Sequence, residues 1–496
     1  MAKPTVSGRF GSLGSGALTG AALAVQTGLA AVVGIVLARE FGRGAETDGF
    51  FAAYGVFIVI VLAAGAIRVT VLPTFARARA SGCLGGEAVS FVLALAVIAL
   101  PVLILGTVLR GPVATLLTGG APVAQATAAM VLPWMLLAAT CQLFAGLAAS
   151  VLAAMNDYAS PAVGFALGSV LGLAYILWRV NADGVSAFSI GMTVNGVVAL
   201  GVPAVAIAIR AARDGSPRSA LRPRGGSAFA RLSMLGFGVA LPFALQALYV
   251  MLLPFASRDG EGEVTSLAYA YLVSSAVVAV CASSLGLVTA VPLARSGLGP
   301  GRAVRHIVAS SWLALVAIGV AAAVFGVAGG NVVGSLLGPD YNDRVGRDLG
   351  LLVVALTPWM VVAVTSAVTF PLLFVAGAIR KLPLTALAVV IVQVPLAWTG
   401  NVLFGVTGLA LALAASTGLA VLAMLAMLEA VRATVVGVGV AAIKVAVVAL
   451  VAFIPVSLVL SSVPAAVVGT IAYAVIVAVL RPPQLVDSWH YMRGLG

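Results

Sequence analysis

Residues 88–109 read AVSFVLALAVIALPVLILGTVL, a run of 22 residues without a charged side chain. A helix of this length spans about 33 Å, which matches the hydrocarbon core of a bilayer. Lipid cannot hydrogen-bond an exposed backbone, so a segment that crosses it is either a helix or part of a closed β-barrel. The short alternating segments typical of a barrel are not seen in this sequence. The run therefore predicts a transmembrane helix.

Thirteen further runs of similar composition are distributed along the 496-residue chain. Each has roughly 17 to 29 residues, which is enough for one crossing of the bilayer. The fourteen predicted spans are residues 13–38, 50–75, 88–109, 123–149, 161–178, 185–209, 232–255, 265–293, 307–327, 349–377, 382–398, 403–428, 440–460 and 464–480. The sequence thus predicts an all-α polytopic membrane protein with about fourteen transmembrane helices.

The composition excludes a water-soluble protein. Charged residues make up 8% of the chain and hydrophobic residues 62%, whereas a soluble domain carries about 25% charged residues. The net charge of +12 would suit nucleic acid only if the basic residues clustered on a polar domain, and the sequence contains none. We therefore expect no nucleic-acid partner.

The basic residues are distributed unequally between the loops. With a cytoplasmic N-terminus, 19 of the 27 Lys and Arg residues fall on the cytoplasmic side, 7 fall outside, and Arg68 lies within the membrane. Such a bias is the one expected from the positive-inside rule. It predicts a multi-pass protein of the cytoplasmic membrane with both termini in the cytoplasm.

A weak internal repeat relates two parts of the chain. The segment that begins near Gln26 matches one that begins near Gln246, and Thr47 matches Thr265, at offsets of 218 to 220. Six helices separate equivalent points, so the two copies have the same orientation, which predicts two parallel six-helix lobes plus two C-terminal helices. The expected domains are an N-terminal lobe (1–210), a basic cytoplasmic connector (211–231), a C-terminal lobe (232–430), and the last two helices with a short cytoplasmic tail (431–496).

Arg68 is the first candidate for a functional residue, because an ionisable group inside a membrane costs several kcal/mol. Its guanidinium could bind a diphosphate through forked, charge-assisted hydrogen bonds. Alternatively, its long stem could lie in apolar surroundings while the charged head reaches the lipid headgroups. The position of Arg68 in the sequence does not separate these two roles.

Uncharged polar residues inside the predicted spans are the second group of candidates, and such groups usually hydrogen-bond neighbouring helices. They are Gln26, Gln142, Asn195, Gln246 and Gln393. Gln26 and Gln246 are equivalent in the repeat, so these two are also candidates for binding substrate.

The first outer loop carries a third group of candidates, Arg39, Arg43, Thr47 and Asp48. These side chains could form an outer gate, or an ion pair that only fixes the loop.

Several chemistries are disfavoured. No carboxylate falls in the middle of a predicted span, although a proton- or sodium-coupled antiporter would normally keep one there. The histidines, His306 and His490, are far apart and have no metal-ligand spacing, and no phosphate-binding loop is present. We therefore expect neither metal nor cofactor, and a transporter rather than an enzyme.

The first outer loop also carries a family resemblance. Ala38-Arg39, Phe41-Gly42, Gly44, Thr47-Asp48, Phe50-Phe51 and Ala53 resemble the signature of the MviN/MurJ family. These proteins are lipid II flippases of the multidrug/oligosaccharidyl-lipid/polysaccharide exporter superfamily. Asn156 with Pro161-Ala162, and the segments 262–295 and 376–408, extend the resemblance over most of the chain.

The resemblance implies a V-shaped pair of six-helix lobes around a cavity in the bacterial inner membrane. The cavity would take a polyprenyl-diphosphate-linked saccharide, lipid II or a related cell-envelope precursor, and pass it outward by alternating access. The family's cavity arginines are replaced by apolar residues at Val33, at 59–61 and within 270–273. The resemblance therefore implies the flippase class more strongly than a particular sugar.

In this interpretation the partners are the lipid-linked saccharide, membrane lipids and cell-wall synthesis proteins, and the process is peptidoglycan or cell-wall biogenesis, or polysaccharide export. Two other functions stay open. One is a drug or ion antiporter of the same superfamily, and the other is a non-transporting scaffold for envelope assembly.

Overall fold

The computed structural model describes residues 28–213, 228–296, 299–341, 343–480 and 483–493. These residues form helices and no β-strand, which confirms the all-α prediction. The helices are α1 (28–41), α2 (Ala45–Ala80), α3 (Leu84–Val108), α4 (Arg110–Thr118), α5 (Pro122–Ala154), α6 (Ala159–Asp183), α7 (Ser186–Arg213), α8 (Ala228–Val250), α9 (Leu253–Asp259), α10 (Glu263–Ser296), α11 (Pro300–Leu337), α12 (Asp343–Ala355), α13 (Thr357–Val375), α14 (Leu382–Met427), α15 (Val431–Ser457), α16 (Ser462–Leu480) and α17 (Pro483–Arg493).

Twelve helical segments of the described chain are long and apolar enough to cross a membrane. One of them, Ala378–Met427, contains two predicted spans, because Gly405 has non-helical backbone angles (φ 58°) that kink α14 between them. The first predicted span is described only from residue 28 onward, as α1. Counting α1 and both parts of α14 separately accounts for the fourteen predicted spans.

Two predicted spans are divided by the structure. The span 232–255 is interrupted between α8, which ends at Val250, and α9, which begins at Leu253. The second division lies in the span 349–377. The sequence predicts a single helix over 349–377, whereas the chain forms α12 and then α13, which starts at Thr357. Pro358 occupies the first turn of α13, where its missing N–H costs nothing because the first N–H groups of a helix have no intrahelical partner. The spanning helix is therefore α13, and α12 precedes it as a separate helix.

Contacts divide the chain into two compact units. The first contains Ala45–Val250 and the residues up to Phe41, and the second contains Gly42–Gly44 and the residues from Met251 onward. In the first unit, α8 packs closely on α2, because Gly238 of α8 leaves no room for a side chain beside Thr70. The boundaries at 210, 231 and 430 expected from the sequence stay a prediction, since residues 214–227 lie outside the described residues.

Helices α6 and α7 pack backbone against backbone. A Cβ atom on Gly172 of α6 would lie 2.6 Å from the carbonyl oxygen of Gly191 on α7. One on Gly168 would lie 2.6 Å from the carbonyl oxygen of Asn195. Small residues at such positions let transmembrane helices approach closely, which adds van der Waals contact where no hydrophobic effect drives association.

Gly172→Ala is therefore expected to destabilise the protein by about 1–3 kcal/mol, because the added methyl group forces two backbones apart. Gly201→Ala is the matched control, since a Cβ there meets nothing within 4 Å. Thermal unfolding of the two variants in detergent measures the difference. Equal melting temperatures for both variants would contradict the packing described here.

A hydrogen-bonded network crosses the interior of the first unit. Gln142 of α5 donates from its amide to Asn195 of α7 at 3.2 Å, and Asn195 donates to the hydroxyl of Ser169 on α6 at 3.4 Å. Gln142 and Ser169 are buried. The prediction that intramembrane amides bind neighbouring helices is confirmed for Gln142 and Asn195.

Candidate functional site

Arg68 lies on α2 inside the first unit. The carbon of its guanidinium group is 4.9 Å from the ring centroid of Phe165 on α6, a distance typical of a cation–π contact. No carboxylate of the described chain lies within salt-bridge distance of Arg68. The positive charge is therefore half-buried and lies against an aromatic ring, without a neutralising acid.

Arg68 lies farther from the end of its helix than from the end of the predicted span. The predicted span ends at Phe75, but α2 continues to Ala80, so Arg68 lies twelve residues before the end of the helix. That distance is about 18 Å along the axis. Arg77 and Arg79 occupy the last turn and mark the polar end of α2. The Arg68 guanidinium is therefore well separated along α2 from the basic residues of the last turn.

Other arginines at the predicted cytoplasmic end of the first unit are held by neighbouring helices. Arg79 of α2 donates to the carbonyl oxygen of Ala154 at 2.5 Å, and Arg231 of α8 pairs with Glu87 of α3 at 3.1 Å. Because each has a partner inside the unit, these residues join helix ends and leave Arg68 as the stronger candidate for binding a ligand.

Arg210 belongs to the same group, since it pairs with Asp157 at 2.6 Å in the loop between α5 and α6. Burial by itself raises the pKa of the Asp157 carboxyl. The hydrogen bonds from Ser160 and Ala159 and the charge of Arg210 outweigh this effect and hold the pKa below its ordinary value. Asp157 is therefore ionised at neutral pH and able to hold Arg210.

The loop between α1 and α2, predicted to lie on the outer side, is held by Arg43. Within the second unit, the Nε atom of Arg43 donates to the Gly262 carbonyl oxygen at 3.0 Å and to the Ser266 hydroxyl at 2.8 Å. Its terminal nitrogen forms an ion pair with Glu263, in the first turn of α10. Three acceptors thus fix one guanidinium at the start of α10.

Gly42 is fixed by a different element of the second unit. The hydroxyl of Tyr341, which is fully buried, donates to the Gly42 carbonyl oxygen at 3.0 Å. Gly42 has φ +61°, a left-handed conformation that favours glycine, and a Cβ atom there would collide with Asp340. The loop is therefore bound on both sides, by α10 and by the 3₁₀ helix Pro339–Tyr341.

The other predicted gate residues occupy different environments. Thr47 is fully buried and donates to the Phe41 carbonyl oxygen at 3.4 Å, and Asp48 is buried in the first turn of α2. Arg39 is exposed near the end of α1. Arg43 forms an ion pair with Glu263, whereas Thr47 lies in the first turn of α2. The gate itself stays a prediction.

The two repeat-equivalent glutamines are only partly described. Gln26 lies outside the described residues, and Gln246 is half-buried on α8. Their role in binding substrate therefore stays a prediction.

Two residues near the candidates were not identified from the sequence, Phe165 and Glu263. Nothing in the sequence distinguishes Phe165 from other aromatic residues of the apolar helices. A signal for Glu263 was present, since Arg43 and Glu263 are 220 positions apart, which is the offset of the internal repeat.

In the described helices that are long and apolar enough to cross a membrane, the carboxylates lie near the helix ends. Glu46, Asp48, Glu87 and Glu263 occupy first turns of their helices, and Asp183 is the last residue of α6. Over the described ranges, no cluster of three or more His, Cys, Asp or Glu side chains could hold a metal ion. The ionisable group deepest in a span among the predicted site residues is a cation, Arg68.

No protein-family model matches this sequence, and no match is found among curated proteins. Solved structures do share the fold. The chain is similar to the lipid II flippase MurJ in an inward closed conformation, with a TM-score of 0.74, 14% identity, and coverage of 93% of this chain and 98% of that one.

Transporters of the multidrug resistance MATE family share the fold as well. An inward-facing member, assigned to the MOP superfamily, has a TM-score of 0.65 and 16% identity, and the match covers 85% of this chain and 95% of that one. The eukaryotic MATE transporter AtDTX14 has a TM-score of 0.58 and 15% identity, over 86% and 97%. The chain is therefore a multi-pass membrane protein with the fold of these transporters, and the predicted resemblance is confirmed at the level of fold.

Proposed function

We propose that this protein is a flippase that moves a polyprenyl-diphosphate-linked saccharide, lipid II or a related envelope precursor, across the bacterial cytoplasmic membrane. The observation that carries the proposal is Arg68, a cation deep in α2 with no carboxylate partner among the described residues. Such a charge is costly in a membrane unless it binds an anion at some stage of its function. The fold shared with MurJ supports the same cargo class.

The chemistry of Arg68 suits a diphosphate. A guanidinium has five N–H donors in a fixed plane, and two of them can bind two phosphate oxygens at once. The ring of Phe165 stabilises the cation on one face and leaves its planar edge for hydrogen bonding. During alternating access the polar headgroup would move through the protein while the polyprenyl chain stays in lipid. The residues 42–44, held by α10, would form part of an outer gate.

A drug or ion antiporter is the second candidate, because MATE transporters share this fold. Coupling to protons or sodium normally requires a carboxylate at membrane depth. The carboxylates of the described spans lie near helix ends, which favours the flippase. A scaffold that does not transport would leave the buried charge of Arg68 unexplained.

Reconstitution into vesicles tests the function directly. The purified full-length protein is expected to carry a fluorescent short-chain polyprenyl-diphosphate disaccharide across the bilayer, so that a membrane-impermeant quencher reaches more than half of the probe. Protein-free vesicles should keep about half protected. A labelled organic cation, offered to the same vesicles under a proton or sodium gradient, should not accumulate. Cation uptake without flipping would establish the antiporter, and neither activity would favour the scaffold.

A further inference from the structure

The second unit contains an open cavity of about 320 Å³ that lies apart from Arg68 and Arg43. The three polar side chains that line it are Asn331 of α11, Arg347 of α12 and Ser462 of α16. According to the loop charges, this end of the second unit lies on the outer side of the membrane. The cavity is therefore expected to face the outer leaflet and the solution beyond it.

The cavity has a rigid wall. Helices α11 and α12 pack at glycines, since a Cβ atom on Gly329 would lie 2.8 Å from the Cα atom of Gly350, and one on Gly346 would lie 2.9 Å from the carbonyl oxygen of Gly330. Helix α16 is tied to α11 by the hydroxyl of Tyr473, which donates to the Val316 carbonyl oxygen at 3.2 Å. Close packing of α11 and α12, and the hydrogen bond from α16, thus place the three helices around the cavity.

The polar side chains of the cavity all have donors for an anion. Arg347 contributes a guanidinium, Asn331 an amide and Ser462 a hydroxyl. Ser462 is also the first residue of α16, where backbone N–H groups lack intrahelical acceptors and the helix dipole favours negative charge. Asp348 follows Arg347 in sequence but does not line the cavity. The donors and the positive charge together favour a phosphate group.

The remaining lining is apolar or bare backbone. Phe325 and Val327 contribute apolar surface, and glycines of α11, including Gly326, leave their backbone open to the cavity. A ligand with a phosphate at one end and a hydrocarbon portion at the other would match both parts of the lining.

We propose that this cavity binds a phosphate group, either on the headgroup of an outer-leaflet lipid or on a soluble phosphate compound, at a site separate from the transport path. The proposal does not depend on the flippase function. Arg347 forms the charged hydrogen bonds to the phosphate oxygens, and Asn331 and Ser462 bind the remaining oxygens. A ligand bound in the cavity would contact α11, α12 and α16 at the same time.

Native mass spectrometry of the purified full-length protein tests the site with two lipids of identical acyl chains, dioleoyl phosphatidic acid and dioleoylglycerol. We expect the phosphatidic acid to bind and the dioleoylglycerol, which lacks the phosphate, not to bind. Arg347→Gln should weaken phosphatidic acid binding about tenfold, since it removes a charge-assisted hydrogen bond. Arg344→Gln is the matched control, because Arg344 is exposed one turn earlier on α12 and does not line the cavity.

Inorganic phosphate and pyrophosphate, added without lipid and followed by thermal shift, distinguish the two sources. Stabilisation by these anions that Arg347→Gln removes would assign the site to a soluble phosphate, and binding of phosphatidic acid alone would assign it to a lipid. In the Arg68→Ala background, the part of either result that Arg347→Gln removes should persist, whereas any phosphate ligand bound at Arg68 itself would be lost. Ser462→Ala, expected to weaken binding several-fold, replaces Arg347→Gln if that variant does not fold. Equal binding by Arg347→Gln and Arg344→Gln, or wild-type protein that binds no phosphate ligand, would overturn the proposal.

Discussion

Replacing Arg68 by alanine is expected to lower the rate of saccharide-lipid translocation at least about a hundredfold while expression and folding are retained. The guanidinium can form two charge-assisted hydrogen bonds to a diphosphate, each contributing on the order of 1.5–3 kcal/mol. Removal of the charge from the membrane interior should also leave the melting temperature unchanged or raise it, because an intramembrane charge is costly. The vesicle quenching assay and thermal unfolding in detergent measure the two effects separately.

Conservative variants separate the phosphate-binding role of Arg68 from a structural one. Arg68→Lys keeps the charge but loses the planar fork, so its translocation rate should fall between those of the wild type and the alanine variant. Lys444→Ala is the matched control, since Lys444 is an exposed basic residue of a spanning helix whose amine donates to Gln484 at 3.2 Å. We expect Lys444→Ala to flip at the wild-type rate. If Arg68→Ala also does so, Arg68 has no role in transport.

Reversing the charge of Arg43 is expected to lower translocation about tenfold, and a second reversal at Glu263 should restore most of it. Arg43→Glu places two carboxylates together at the start of α10 and removes the donors to Gly262 and Ser266. The residues 42–44 would then be released from α10. In the double variant Arg43→Glu/Glu263→Arg, the carboxylate and the guanidinium exchange positions. The ion pair can then form again and hold residues 42–44 to α10.

The same variants distinguish a gate from a loop that is only fixed in place. The ion pair is partly exposed, with side-chain exposures of 22% and 31%, so its loss should cost about 1 kcal/mol of stability or less. For a gate, translocation falls far more than the melting temperature, and the double reversal recovers it. For a fixed loop, translocation and melting temperature fall together. No effect on either quantity would remove Arg43 from both roles.

The helical architecture is determined by the sequence, because lipid cannot form hydrogen bonds with the backbone. A backbone that crosses the bilayer has to satisfy its own hydrogen bonds, so each long apolar run becomes a helix, and thirteen of the fourteen predicted runs coincide with helices of the described residues or with parts of them. The remaining run, 13–38, is described only in its second half, which is helical. Arg43 and Glu263 are 220 residues apart, which is also the offset of the predicted internal repeat.

Single residues also set some helix boundaries that the length of an apolar run does not predict. Pro358 and the turn before it separate α12 from α13 inside a run that is continuously apolar, and Gly405 kinks α14 between two spans. Hydropathy averages over such positions, since one residue hardly changes the mean of a long window. Turn geometry depends on the single residue and on its backbone angles.

Side-chain partners were decided by the tertiary structure alone. The sequence gives the position of Arg68 along α2 but not the face of the helix on which its guanidinium lies, and only the tertiary arrangement of the helices brings Phe165 within 4.9 Å. The cavity near Arg347 likewise exists because glycines bring α11 and α12 together beside α16. Apolar periodicity is nearly uninformative in a helix surrounded by lipid and protein, because both surroundings are apolar, so rotation and neighbours are settled by close packing.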